Sequence, residues 1–305
     1  MAPLKNYQHL LETSQRVNWR LEDLIGGGRR LDFTRPFLPE TFAKTAPLGF
    51  LSQEEKLKLN QIRARGYLGL FELVEAIVVP FISHQADDRA AAEPFREQAL
   101  RHFAAEEEKH RKLFRAVLRE FDAGFGTECG LIGPAEDICR TILAHGPLAV
   151  TIAILGLEWM SQGHYVGAVK DNQDLDPQFK SLLKHHWIEE AQHAKLDSLV
   201  LKALAQRSSA QDIATAIREY FEIGAFLDGG FKQQAELDLR SLEQAIGRTL
   251  SEYERGQFLD VQHRALRWTF LGSAMENRNF LAVLAGISDE AATRVEQAAK
   301  SFSMH

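Results

Sequence analysis

Four stretches of this chain, at about residues 52–83, 95–122, 146–171 and 177–206, carry apolar residues at i, i+3, i+4 and i+7. That spacing gathers them on one face of an α-helix. No segment shows the sustained period-2 alternation that a half-buried strand requires. Each long helix has an apolar stripe to cover, and with modest connections they cover one another as a four-helix bundle. Ser52 before "QEEK" reads as an N-cap, and Asp176–Pro177 and Gly133–Pro134 read as further helix starts. A first helix is expected at about 4–25, ending at "GGG". A proline- and aromatic-rich arm, 29–50, should then wrap over the outside of the core. After residue 208 further helices are expected at about 210–246, 251–284 and 289–302. The expected fold class is all-α, one domain over 1–305, with the bundle at about 52–206 and flanking helices at 4–25 and 210–302.

Composition narrows the function classes. With 305 residues, 45% hydrophobic and 26% charged, the chain can bury one substantial core or two at most. A net charge of −6 and a pI near 6.0 argue against a nucleic-acid partner, since phosphate contacts need a basic surface. Cys129 and Cys139 are too few for a disulfide scaffold and suit a reducing compartment. The N-terminus lacks an apolar signal region, and the run "GPLAVTIAILGL" is too short to span a bilayer. A soluble, cytoplasmic protein with no membrane partner is expected.

Polar residues on the buried stripes carry the functional question. In "HHWIEEAQH", His186, Glu190 and His193 stand at i, i+4 and i+7, on the same face as Leu182 and Leu183. At about 100° per residue they fall on one side of the helix, while His185 points to solvent. "FAAEEEKHRKLF" repeats the theme, with Glu107 and His110 between Phe103 and Phe114. Two Glu-x-x-His units alone are weak, because 11 histidines make chance matches common. What raises the specificity is the helix before each unit. Glu158 ends the apolar "LAVTIAILGLEWM", 32 residues before Glu190. In the other half Glu72 and Glu75 lie in "YLGLFELVEAIVVPF", 35 and 32 residues before Glu107. A lone carboxylate in such a helix is costly to bury without a partner, a proton or a metal. One Glu from each of two helices and Glu-x-x-His from each of the other two is the donor pattern of a dinuclear carboxylate site in a bundle.

Four carboxylates neutralise two divalent ions, and the carboxylate–imidazole set suits two iron ions (Fe2+/Fe3+), with manganese less favoured and structural zinc disfavoured by the lack of nearby cysteine. Glu106 and Glu189 are either solvated helix charge or acceptors for the outer ring N–H of a ligand histidine. Asp260 and His263, in "DVQH", have no matching helix with an isolated acid and are expected to be structural or superficial.

Several ferritin-like families use this pattern. Ribonucleotide reductase small subunits carry a tyrosine one to two turns after the first Glu-x-x-His unit, where this chain has Phe114; rubrerythrins usually add a CxxC domain, and none is present. Storage ferritins are generally shorter single bundles without the helices beyond 208. His186, one turn before Glu190-x-x-His193, adds a third imidazole. In Glu72, Glu107–His110, Glu158 and His186-x-x-x-Glu190-x-x-His193 the chain resembles the ferritin-like di-iron N-oxygenases typified by p-aminobenzoate N-oxygenase, over about 65–200. The resemblance implies Glu72 rather than Glu75 as the first carboxylate ligand, because the spacing to Glu107 is wider in that family. It also implies an O2-dependent di-iron oxygenase acting on the nitrogen of a small amine, an external electron donor and a homodimer. A hydroxylase or oxidase acting at carbon, or a protein that oxidises iron without an organic substrate, shares the same donor set.

Overall fold

The structure is a computed structural model that describes residues 6–88 and 93–302. Its helices are α1 (Tyr7–Ser14), α2 (Leu21–Leu24), α3 (Glu40–Ala43), α4 (Gln53–Ala86), α5 (Arg96–Phe125), α6 (Ala135–Leu143), α7 (Pro147–His164), α8 (Pro177–Gln206), α9 (Ala210–Ile246), α10 (Glu252–Arg267), α11 (Ser273–Met275), α12 (Arg278–Ala285) and α13 (Asp289–Ala299). No strand occurs among the described residues. The fold is all-α. Its four-helix core consists of two hairpins, α4–α5 and α7–α8, with α5 against α8 at the centre. The long α9 packs across α4 and α7, and α1 rests on α5 and α8.

Local chemistry sets the helix ends. Ser52 Oγ accepts the Glu55 N–H at 3.3 Å while the Glu55 carboxylate accepts the Ser52 N–H at 2.8 Å, so two otherwise unpaired donors are satisfied at the start of α4. Ser209–Asp212 and Ser251–Glu254 repeat the exchange at α9 and α10. Asp176 Oδ1 accepts from Phe179 N at 2.6 Å to open α8. Helices α5 and α9 stop at Gly126 and Gly247, whose φ values of +78° and +70° favour a residue without Cβ.

Helix α4 is long and apolar enough to cross a membrane, a property the shorter run before Glu158 did not suggest. Within its most apolar window 67% is buried inside the protein, so the apolarity serves a core position.

Three expectations are corrected. The first helix is broken: α1 ends at Ser14, and the chain turns so that Trp19 packs inward, 8% exposed, before α2. Residues 4 and 5 of that expected helix lie outside the described residues. The arm does not merely cover the core but supplies part of it, with Phe37, Leu38, Phe42 and Leu48 at 0–2% exposure. It is anchored by Asn60, whose Oδ1 accepts from Phe37 N (2.8 Å) and Leu38 N (3.1 Å) and whose Nδ2 donates to Leu38 O (2.7 Å). The helix expected at 251–284 is interrupted by a π-helical turn at Trp268–Gly272 and by Asn277, whose side chain caps α12. A second π-turn, Tyr165–Val169, follows α7, and α6 begins directly after Gly133–Pro134, where a helix start is expected.

Candidate metal centre

Helix geometry explains why the acids and imidazoles meet. Glu75 on α4, Glu107 and His110 on α5, Glu158 on α7, and His186, Glu190 and His193 on α8 all occupy the apolar stripe of their helix. All are buried, at 0–4% exposure. Packing the stripes together therefore packs the polar side chains together.

Their donor atoms form two overlapping sets, each with its atoms within 4.8 Å of one another: Glu75, His110, His186 and Glu190, and Glu107, His110, Glu190 and His193. Glu190 Oε1 is the hub. It lies 3.1 Å from His110 Nδ1, 3.1 Å from His186 Nε2 and 3.3 Å from His193 Nδ1. His193 Nδ1 is also 2.9 Å from Glu107 Oε1, and His186 Nε2 is 3.4 Å from Glu75 Oε1. Glu158 stands beside Glu190 but outside both sets.

Glu72, the carboxylate favoured from the family resemblance, is not in the cluster. It lies about 60° around the helix from Glu75, is half-buried, and pairs with Arg115 Nη2 at 2.6 Å and Arg111 Nε at 3.4 Å on the outer edge of α5. Glu75 takes its place. The signal that identifies Glu75 was present in the spacing: Glu75 to Glu107 and Glu158 to Glu190 are both 32 residues, so the halves match when Glu75 is chosen.

Glu106 and Glu189 are buried, at 5% and 0% exposure, and each holds the histidine of the opposite helix. Glu189 Oε2 accepts from His110 Nε2 at 2.8 Å, and Glu106 Oε2 accepts from His193 Nε2 at 3.0 Å. With Nε2 engaged outward, both Nδ1 atoms point into the cluster. Behind them, Lys109 bonds Glu189, Ser14 Oγ donates to Glu106 at 2.5 Å, and the Trp19 ring stacks on His110 at 6.1 Å. Thus the N-terminal segment closes the site. His185, expected in solvent, is half-buried with its edge on Trp19. Asp260 and His263 stay outside, in ion pairs with Arg264 and Asp228.

Electrostatics sets these groups at odds. Burial, reinforced by Glu107, raises the Glu75 carboxyl well above the usual range; burial together with Glu190 does the same to Glu158. Burial acts on Glu107 and Glu190 too but is outweighed: His193 and His110 hold Glu107 at about 2, while His186, Glu158 and His193 hold Glu190 well below normal. His110 and His193 are pulled down by burial but driven well above the usual imidazole value by Glu107 and their other carboxylate neighbours. Burial takes His186 down to about 4.

The unsatisfied atoms test whether the set fits a metal. Glu75 Oε2, Glu107 Oε1, Glu158 Oε2, Glu190 Oε1 and His193 Nδ1 are buried with no hydrogen-bond partner. Several lie about 3 Å from another ligand-type atom of the cluster without meeting the geometry of a hydrogen bond. Buried acceptors left in this way are costly, and cations bound between them remove the cost. The residues fit two metal ions.

No family model matches the chain, and no curated protein matches it. Among solved structures it is similar to an R2-like ligand-binding oxidase mutant with an aerobically reconstituted Fe/Fe cofactor, at 16% identity and a TM-score of 0.47, over 87% of this chain and 93% of that one. A mutant with an aerobically reconstituted Mn/Fe cofactor gives 15% identity and a TM-score of 0.45 over 87% and 94%. At these values the likeness decides neither fold nor chemistry, which are read from this chain's own helices and side chains.

Proposed function

We propose that the protein is a non-haem di-iron oxygenase that uses O2 to oxygenate the nitrogen of a small amine. The observation that supports this most directly is the pair of buried donor sets sharing Glu190 and His110. Glu75, His186, Glu107 and His193 complete them, and Glu158 stands ready beside Glu190. Four carboxylates against two divalent ions leave the centre near neutrality, which a buried site requires. Oxygen and imidazole donors suit iron, with manganese as the alternative. When bound, such a pair would supply the electrons for reduction of O2. The chain's own part is to hold three imidazoles and four carboxylates in register and to exclude bulk water. Glu106 and Glu189 fix the ring orientation of His193 and His110. The third imidazole, His186, adds a neutral donor, and the amine substrate and external electron donor follow from the family resemblance it carries.

Iron analysis of protein purified under reducing conditions, followed by O2 uptake with and without an arylamine, tests the reading. About two irons per chain and uptake coupled to hydroxylamine or nitroso product support it. Oxidation at carbon only would move it to a hydroxylase. Sustained Fe(II) oxidation with no organic product would make it an iron-handling protein.

A further inference from the structure

Beyond the metal cluster lies a second buried polar line that the proposed chemistry does not use. Tyr67 of α4 and His164 at the end of α7 are 6% and 5% exposed. The Tyr67 hydroxyl is 3.1 Å from His164 Nδ1, and His164 Nε2 is 2.9 Å from Ser273 Oγ. The Ser273 hydroxyl in turn donates to Thr269 O at 2.8 Å.

That last bond fixes the direction of the others. A hydroxyl has one proton, and Ser273 uses it on the Thr269 carbonyl. Ser273 Oγ therefore accepts from His164, so Nε2 carries the ring hydrogen. In a neutral imidazole Nδ1 is then the acceptor, and Tyr67 donates to it. Burial keeps the ring neutral, pushing its pKa down to about 3, and raises the phenol, so the proton rests on oxygen in the reduced pair. Each partner is positioned next to a π-helical turn, Tyr165–Val169 after His164 and Trp268–Gly272 before Ser273. Such turns are rare and recur at functional sites.

Aromatic rings join this line to the cluster. The Tyr67 centroid is 4.8 Å from Phe71, and Phe71 is 5.3 Å from His186. On the far side Phe42 lies 6.2 Å from Tyr67, 4.3 Å from His164 and 6.2 Å from Trp268, which is partly exposed. Along this path Tyr67 and Trp268 are the side chains that give up an electron readily; phenylalanine does not.

We infer that Tyr67 is a one-electron relay between the metal centre and the protein surface, with His164 as its proton acceptor. With two metal ions held by the cluster and oxidised, Tyr67 would give up one electron to them while its O–H proton passes to His164 Nδ1. The products are a neutral phenoxyl, an imidazolium still bonded through Nε2–H to Ser273, and a centre reduced by one electron. A one-electron reductant, of the flavin or iron–sulfur class, returns an electron by way of Trp268, and the proton goes back to the phenolate oxygen. An oxidised phenol is a far stronger acid than a resting one, which is why a weakly basic imidazole suffices. The inference rests on the reading of the cluster as a redox-active di-iron centre.

The test separates the two. Photo-oxidation of the metal-free full chain with flash-generated ruthenium(III) tris-bipyridine requires nothing of the cluster. In a Tyr253→Phe background, which removes the phenol that is 74% exposed, a neutral tyrosyl signal is expected by EPR and transient absorption, lost in Tyr67→Phe and several-fold shorter-lived in His164→Gln. If His164→Gln does not fold, Ser273→Ala, which frees the ring tautomer, should shorten the lifetime as well. An equal signal in Tyr67→Phe, or an unchanged lifetime in the His164 or Ser273 variant, overturns the relay. The iron-loaded chain mixed with O2 without amine should show the same Tyr67-dependent signal by freeze-quench EPR. Oxidation of the iron without that signal overturns the relay but leaves the di-iron reading intact. A chain that binds no iron overturns both, whatever the photo-oxidation shows.

Discussion

Glu189 Oε2 accepts the Nε2 hydrogen of His110 at 2.8 Å across the α5–α8 contact, and Glu106 does the same for His193 in the opposite direction. Each Glu-x-x-His helix thus orients the histidine of the other, so neither half of the centre is organised alone. Replacing Glu189 with Gln or Ala should weaken iron binding by about 10- to 100-fold while the helical circular dichroism is retained. Iron titration checks this, and native affinity would refute the orienting role.

Glu75 and Glu72 should behave oppositely. Glu75→Ala removes a donor of one set and should reduce the iron content to about one ion per chain. Glu72→Ala breaks a partly buried ion pair with Arg111 and Arg115 outside the cluster, and should keep both irons. Metal analysis and thermal unfolding of the two variants decide the assignment.

The overlapping donor sets predict asymmetric loss. His186→Ala touches only the set containing Glu75, and His193→Ala only the set containing Glu107. Each should therefore retain one tight site, whereas His110→Ala, common to both, should lose both. Stoichiometry by iron titration reads the pattern directly.

His164 should govern part of the acid stability. Its folded pKa is lowered to about 3 by burial, whereas the unfolded chain takes up the proton near the usual 6.5. Between these values the unfolded state binds more protons, so stability rises with pH through this window and is lost as pH falls. The slope contributed is up to about 1.4 kcal/mol per pH unit. Urea unfolding from pH 6.5 to 4.5 should show a shallower decline in His164→Gln than in the native chain.

Asn60 holds the arm through three backbone hydrogen bonds to Phe37 and Leu38. Asn60→Ala leaves those buried groups unpaired and should cost about 2–4 kcal/mol. Limited proteolysis should then cut within the arm before the bundle unfolds.

Helix periodicity and isolated carboxylates determined much by themselves: the long helices, the two Glu-x-x-His units and the matching acid in each preceding helix. These are legible because burial of a stripe is a local, periodic property, and because an acid in an apolar run has few remedies. Periodicity did not settle the choice between Glu72 and Glu75, since both lie near the same stripe. The matching 32-residue spacings point to Glu75, and the packed positions of Arg111 and Arg115 against Glu72 separate the two in space. Nor did the sequence reveal that Trp19 and Ser14 close the site, that Glu106 and Glu189 serve opposite histidines, or that Tyr67 meets His164 and Ser273. Those contacts join residues about 90 or more positions apart in several cases. Only the packing of one helix against another, which no single helix encodes, brings such groups into hydrogen-bonding distance.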